Sequence, residues 1–269
     1  MTSLVPRLPA HAADTIAQFL RAHATADGGQ GVVVGLSGGI DSALTARLAR
    51  DALGPERVFG VLLPDERFPA ELVRETEGFA RDLGIPYRTI PIGAVERAYE
   101  GLLPDRPDRV TRGNLAPRIR MTVLFAWARE QHRLVAGTGN KSELLLGYFT
   151  KYGDGGVDLL PIGDLYKTEV RALAAQLDLP APIRERAPSA GLWEGQTDEA
   201  ELGLPYAEID QILRGLEELR SESEIAEITG IDPERVRSVA HRVTISRHKR
   251  RAPPVAKVGF RTVGLDWRE

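Results

Sequence analysis

The residues best placed to do chemistry lie in two glycine-rich stretches, Gly35-Leu36-Ser37-Gly38-Gly39-Ile40-Asp41-Ser42 and Gly137 to Asp158. The first follows Val32-Val33-Val34, an apolar β-branched run suited to a buried strand. Leu44, Leu48, Ala49 and Ala52 then recur at helical spacing until Gly54-Pro55 stops the pattern. A loop between strand and helix collects unpaired amides at the positive end of the helix dipole, which favours phosphate. Gly38 and Gly39 remove side chains where the backbone would approach such a ligand. Neither a G-x-G-x-x-G fingerprint nor a Gly-Lys-Ser/Thr ending is present. Asp41 stands where a carboxylate would repel phosphate unless a cation lay between them, so it reads as a Mg²⁺ ligand. The plainer alternative is a strand-to-helix turn with Asp41 or Ser42 as N-cap.

The second stretch follows Leu134-Val135-Ala136 and opens Gly137-Thr138-Gly139-Asn140-Lys141-Ser142-Glu143. It reads as a glycine-rich loop gathering a hydroxyl, an amide, lysines and acids between short apolar pieces, a mixture that a mere connection has little use for. Taken alone, Glu143 reads as an exposed helix acid; the plain reading of Lys167 is a solvated lysine in the first turn of a helix over 166–177, slightly disfavoured because a cation there opposes the helix dipole.

The elements that must position these loops alternate. Strands are expected at 32–34, 58–63, 87–92 and 134–136, and helices over 8–25, 40–53, 72–83, around Val95 and Tyr99, and over 115–131. Such alternation implies right-handed crossovers and a doubly wound α/β fold, a parallel sheet with helices on both faces. Ligands then gather beyond the carboxyl ends of the strands, where both glycine stretches fall. Residues 64–69 and 187–203 read as loops able to close over a reaction. From Tyr206 onward the pattern is helical, through Ile209, Leu213 and Leu216, then 221–229, then a last helix begun by Asp232-Pro233. No linker separates these parts, so residues 1–269 are expected to form one domain.

Composition sets outer bounds. The chain has 269 residues, 42% hydrophobic and 27% charged, with 35 basic against 38 acidic residues and a net charge of −3. That balance argues against a protein that coats nucleic acid. There is no cysteine, hence no disulfide, thiolate metal site or cysteine nucleophile. No apolar run reaches the ~18 residues of a membrane span, and no secretory signal is visible. A cytoplasmic enzyme is the expectation.

Ser37-Gly38-Gly39-Ile40-Asp41-Ser42 after a strand resembles the pyrophosphate loop of the N-type ATP pyrophosphatases. With Gly137 to Glu143, Leu146 to Asp158, Pro161 to Lys167, Arg118 to Met121, Gln196 to Glu199 and His248 to Arg251, the chain resembles the ammonia-dependent NAD synthetases over residues 35–254. The resemblance implies that deamido-NAD⁺ is adenylated by ATP, releasing pyrophosphate, and that ammonia then displaces AMP to give NAD⁺. It implies ATP contacts at Gly35, Leu36, Ser37, Gly38, Gly39, Ile40, Asp41, Ser42, Thr138, Lys167 and Ser189. It implies catalytic roles for Asp41, Glu143 and Lys167, and Mg²⁺ held by Asp41 and Glu143. Arg118, Lys151, Asp158, His248 and Lys249 would hold deamido-NAD⁺, and the enzyme would be a homodimer. Rival readings are another ATP pyrophosphatase of the GMP-synthetase kind and an ATP sensor without catalysis.

Overall fold

The computed structural model describes residues 3–193 and 195–263. Four parallel strands, β1 (Val32–Gly35), β2 (Val58–Leu62), β3 (Tyr87–Thr89) and β4 (Leu134–Ala136), lie in the order β3-β2-β1-β4. Val33 of β1 is in register with Phe59 of β2 and Val135 of β4. The chain steps outward from β1 to β3 and then returns to the other side of β1. The β1/β4 boundary is therefore the topological switch point, and the loops leaving both strands open into one crevice. β3 ends earlier than the sequence pattern suggests: Pro91 has no N–H to donate, and Ile90 and Ile92 bond singly to the carbonyls of Leu62 and Pro64.

The period of two along each strand divides the core. Val32, Val34, Val58, Leu62 and Ala136 face α1 (Ala12–Ala24), α2 (Ile40–Leu53) and α3 (Ala70–Asp82). Val33, Phe59, Val61 and Val135 face the other way, against Leu115, Ala116 and Ile119. α4 (Gly93–Glu100), α5 (Arg109–Gly113) and α6 (Leu115–Glu130) lie on that side. The expected two-faced cover is present.

The second glycine stretch is not all loop. Residues Lys141–Leu146 form α7, because Asn140 accepts from the Glu143 amide at 3.0 Å while Glu143 reaches back to the Asn140 amide at 3.3 Å. α8 (Lys167–Gln176) and α9 (Ala181–Glu185) follow. The segment 187–203 likewise contains α10 (Asp198–Leu202), and Gly203 ends it in the left-handed conformation. α11 (Tyr206–Glu217), α12 (Glu222–Thr229) and α13 (Pro233–Ile245) build a separate core in which Ile209, Leu213, Ile225 and Val236 pack with Leu146 and Tyr166. Among the described residues no helix is long and apolar enough to cross a membrane.

Candidate active site

The loop after β1 is shaped by its own hydroxyls. Ser42 donates to the Gly39 carbonyl at 3.0 Å, and the Ser37 and Ser42 hydroxyls lie 3.1 Å apart. Gly38 sits at φ +75°, and a Cβ there would stand 2.6 Å from Leu72 and 2.7 Å from Thr76. Only glycine fits. Gly38 and Gly39 thus leave the turn that opens α2 without side chains of its own at two successive positions.

Three ionisable side chains from three elements meet below this loop. The Lys167 Nζ lies 2.5 Å from Asp41 Oδ2 and 3.2 Å from Glu143 Oε1. Asn140 donates to the other Asp41 oxygen at 3.0 Å. The Lys167 side chain is 1% exposed, so the plain reading of a solvated lysine does not hold. The local fold enforces this. The Lys167 amide donates to the Ser142 hydroxyl at 2.9 Å, and Ser142 donates to Asp210 Oδ1 at 2.5 Å. The Thr168 amide donates to Asp210 Oδ2 at 2.8 Å. Buried Asp210, on α11, therefore occupies the N-terminus of α8 and leaves the Lys167 side chain pointing to the two acids.

Burial pushes the Glu143 carboxyl up to about 8, against the lowering effect of Lys167 and with further raising by Asp41 and Asp198. Asp41 and Glu143 raise the Lys167 ammonium above its ordinary value despite burial. Among the described residues no group of three or more His, Cys, Asp or Glu side chains could hold a metal. Two carboxylates with no third ligand suit a hard cation that arrives with a nucleotide, since Mg²⁺ commonly takes one or two carboxylates plus phosphate oxygens.

These residues border a cleft of about 530 Å³, the size of an ordinary small-molecule site. Gly35, Leu36, Ser37, Asp41, Ser42, Thr138, Glu143, Ser189 and Lys249 line it. Gly38, Gly39 and Ile40 lie in the adjoining turn, and Lys167 is behind the carboxylates. The rest of the expected set divides. Arg118 is exposed, 3.5 Å from the Lys151 carbonyl, and Lys151 lies 5.1 Å from the centre of the exposed Tyr152 ring. His248 is exposed next to Lys249. Asp158 accepts from the Val135 amide at 2.8 Å and thereby satisfies the outer edge of β4. Lys249 donates to the carbonyls of Gly147 at 2.7 Å and Phe149 at 2.8 Å, bracing the cleft wall.

Residues outside the expected set also shape the cleft. Arg120 lines it and is held by Asp65 at 2.7 Å and the Leu63 carbonyl at 3.0 Å. Asp65 is buried, and its partners Arg67 and Arg120 hold its carboxyl below the ordinary value against the cost of burial. Arg67 reaches on to the Leu192 carbonyl at 3.1 Å, tying the 64–69 loop to the 187–197 segment. Arg186 spans similarly from the Gly38 carbonyl to Glu75. No local pattern marks these long-range pairs.

A parallel α/β sheet with a side-chain-free amide loop, a buried lysine and paired carboxylates at its switch point is the architecture of a nucleotide-binding enzyme. The NAD synthase family model matches residues 12–253, and the chain belongs to that family. It is 49% identical to the NH(3)-dependent NAD(+) synthetase of Methanosarcina acetivorans over 250 residues, 92% of this chain and 98% of the relative. Among solved structures, the NMN synthetase of Francisella tularensis aligns with a TM-score of 0.82 at 33% identity, covering 93% of this chain and 99% of its own. The NH3-dependent NAD synthetase of Campylobacter jejuni, in complex with nitrate, aligns at 0.77 and 32%, covering 91% and 97%.

Proposed function

We propose that the chain is an ammonia-dependent NAD⁺ synthetase that adenylates the carboxylate of deamido-NAD⁺ with ATP and passes the acyl group to ammonia. The observation that carries this is the Asp41–Lys167–Glu143 cluster beneath the β1 loop, at the polar end of a cleft with apolar walls. The substrate carboxylate attacks the α-phosphate, the bond to pyrophosphate breaks, and negative charge gathers on the departing group. The α2 amides and the Lys167 ammonium offer preorganised positive charge to it, and such fixed groups supply much of the acceleration in this chemistry. Asp41 and Glu143 would hold a Mg²⁺ entering with ATP, and the ion would supply positive charge for the phosphate oxygens. Ammonia then adds to the activated carbonyl and AMP leaves with the C–O bond.

Lys249 and Arg118 supply cations toward the deamido-NAD⁺ diphosphate, while Lys151 and His248 contribute from the rim. Asp158 acts there through the edge of β4. Thr138 and Ser189 contact ATP. Residues 1–269 work as one unit, a reading supported by α11 against α7 and α8 and by α13 against α7. A homodimer and a cytoplasmic location complete the reading. With no cysteine in the chain, ammonia itself is the nitrogen donor.

Purified protein with ATP, Mg²⁺, deamido-NAD⁺ and ammonium should form NAD⁺ and AMP together, each component being required. AMP formed with other acids but never with deamido-NAD⁺ would remove the substrate assignment. The likeness to the Francisella NMN synthetase favours a second reading, amidation of nicotinic acid mononucleotide, and the same assay ranks the two acids by kcat/KM.

A further inference from the structure

The loop after β1 turns on a peptide unit to which two orientations are open. Gly39 supplies the first carbonyl of the α2 ladder, which accepts from the Ala43 amide at 3.1 Å, and its φ is −86°. Gly38 precedes it at φ +75°. A peptide plane between two glycines meets no Cβ at either end, so turning it over is sterically easy. That turn would carry Gly39 into the positive-φ region, which glycine adopts freely and a residue with a Cβ does not.

The two ends of this peptide serve different sides of the loop. The Gly38 carbonyl accepts from Arg186 Nη1 in a narrow recess lined by Ala43, Glu75, Phe79 and Ile183. The Gly39 amide donates to Ser37 Oγ at 3.3 Å, and both Ser37 and Ser42 line the main cleft. In a planar trans peptide the C=O and N–H point in opposite directions, so holding one fixes the other. Arg186 is itself held, because its Nη2 donates to Glu75 Oε2 at 2.5 Å from α3. A rigid guanidinium fork reaches a carbonyl and a carboxylate together, which a lysine cannot do. Turned over, the peptide would place a carbonyl oxygen beside Ser37 Oγ, where it would repel an incoming polyanion.

We propose that Arg186 is a positioning residue for ATP, acting from behind the loop to keep the Gly38–Gly39 peptide with its N–H toward the cleft hydroxyls. This rests on the synthetase reading above and adds to it the residue that sets the shape of the phosphate end. Glu75 is the anchor of that residue. The effect belongs to the triphosphate and not to deamido-NAD⁺, since the peptide sits in the β1 loop. Arg186 also stands three residues before Ser189, which lines the cleft, so one side chain ties both pieces of the nucleotide site together.

The test uses the full chain with Mg²⁺ and α,β-methylene-ATP, whose binding is read by calorimetry without the reaction. In Arg186→Met the Kd should rise about 10- to 100-fold, the range for losing a hydrogen bond from a charged donor. KM for deamido-NAD⁺ in pyrophosphate exchange should stay within about 2-fold of wild type. Arg186→Lys, which keeps the charge without the fork, should fall between the two. The Arg186 and Glu75 side chains are 30% and 44% exposed, so the melting temperature should fall by no more than about 4 °C. Gly39→Ala isolates the peptide itself. Its Cβ would stand 3.4 Å from Ser37 Oγ, an ordinary contact, and it bars the turned-over state. Adding Arg186→Met to Gly39→Ala should therefore raise the Kd by less than about 3-fold over Gly39→Ala alone. An unchanged Kd in Arg186→Met, an equal loss in both backgrounds, or a matching rise in KM for deamido-NAD⁺ would overturn the role of Arg186. A wild type that binds the analogue but exchanges no pyrophosphate with any acid would remove the synthetase reading, and the Kd comparison would still decide the loop.

Discussion

Replacing Lys167 by Met tests whether the buried cluster holds the fold as well as the reaction. Methionine matches the length and packing of the lysine stem, so the change removes chiefly the ammonium. Asp41 keeps its bond from Asn140, while Glu143 loses the cation at 3.2 Å and retains only the Asn140 amide. Removing one partner of a buried ion pair costs about 3–5 kcal/mol. Proton uptake by Glu143 relieves part of this, so we take the lower figure, about 3 kcal/mol. At roughly 2–4 °C per kcal/mol for a chain of this size, the melting temperature should fall by about 6–12 °C.

The loss should depend on pH in a definite sense. The folded-state Glu143 carboxyl titrates near 8, above its ordinary 4.5. Its contribution to stability is therefore complete below about 4.5 and is lost as pH rises through about 8. Without the lysine the folded value rises further, so the variant should lose more than wild type on going from pH 6 to pH 8. Adding Glu143→Gln to Lys167→Met should restore part of the melting temperature at pH 8 while leaving adenylation down by at least about 100-fold. Differential scanning fluorimetry at the two pH values, beside ATP–pyrophosphate exchange, reads both effects. A Lys167→Met protein that melts with wild type at pH 8 would refute the placement of the ammonium between the two acids.

On the proposed reaction the cluster works with Glu143 unprotonated, so pyrophosphate exchange without ammonium should rise as pH climbs toward about 8. Glu143→Gln should flatten that limb, and an unchanged limb would assign it elsewhere. Asp41→Asn should keep the fold through its Asn140 contact and lose exchange, and wild-type turnover would take Asp41 out of the mechanism. Gly38→Ala drives a Cβ to within 2.6 Å of Leu72 at a positive φ and should raise KM for ATP, read from initial rates, more than it lowers the melting temperature.

Much of the fold is legible in the sequence because its strands are short apolar runs and its helices carry strong periodicity. The Val32–Val34 strand, the glycine loop and the helix to Leu53 follow from local chemistry alone. The short helix α7 does not, since a few residues among glycines give no periodicity; its one local sign is the Asn140-x-x-Glu143 pairing of a capping box. Lys167 is the sharper case. A lysine in a helix's first turn opposes the dipole, which hints that it is not a plain surface residue, but its inward direction depends on Asp210, more than forty residues later in the chain.

The bracing of that wall by Lys249 has a temporal side. Lys249 is 102 and 100 residues from the Gly147 and Phe149 carbonyls it holds, and Arg250 is 105 residues from that of Leu145. Translation at about 5–20 residues per second separates the emergence of the wall from that of its brace by roughly 5–20 s. During that interval all four strand segments have been made, and the side chains that brace the cleft wall have not. A chain broken off before residue 246 would keep the residues of its sheet and of the wall while lacking the two cations that brace the wall.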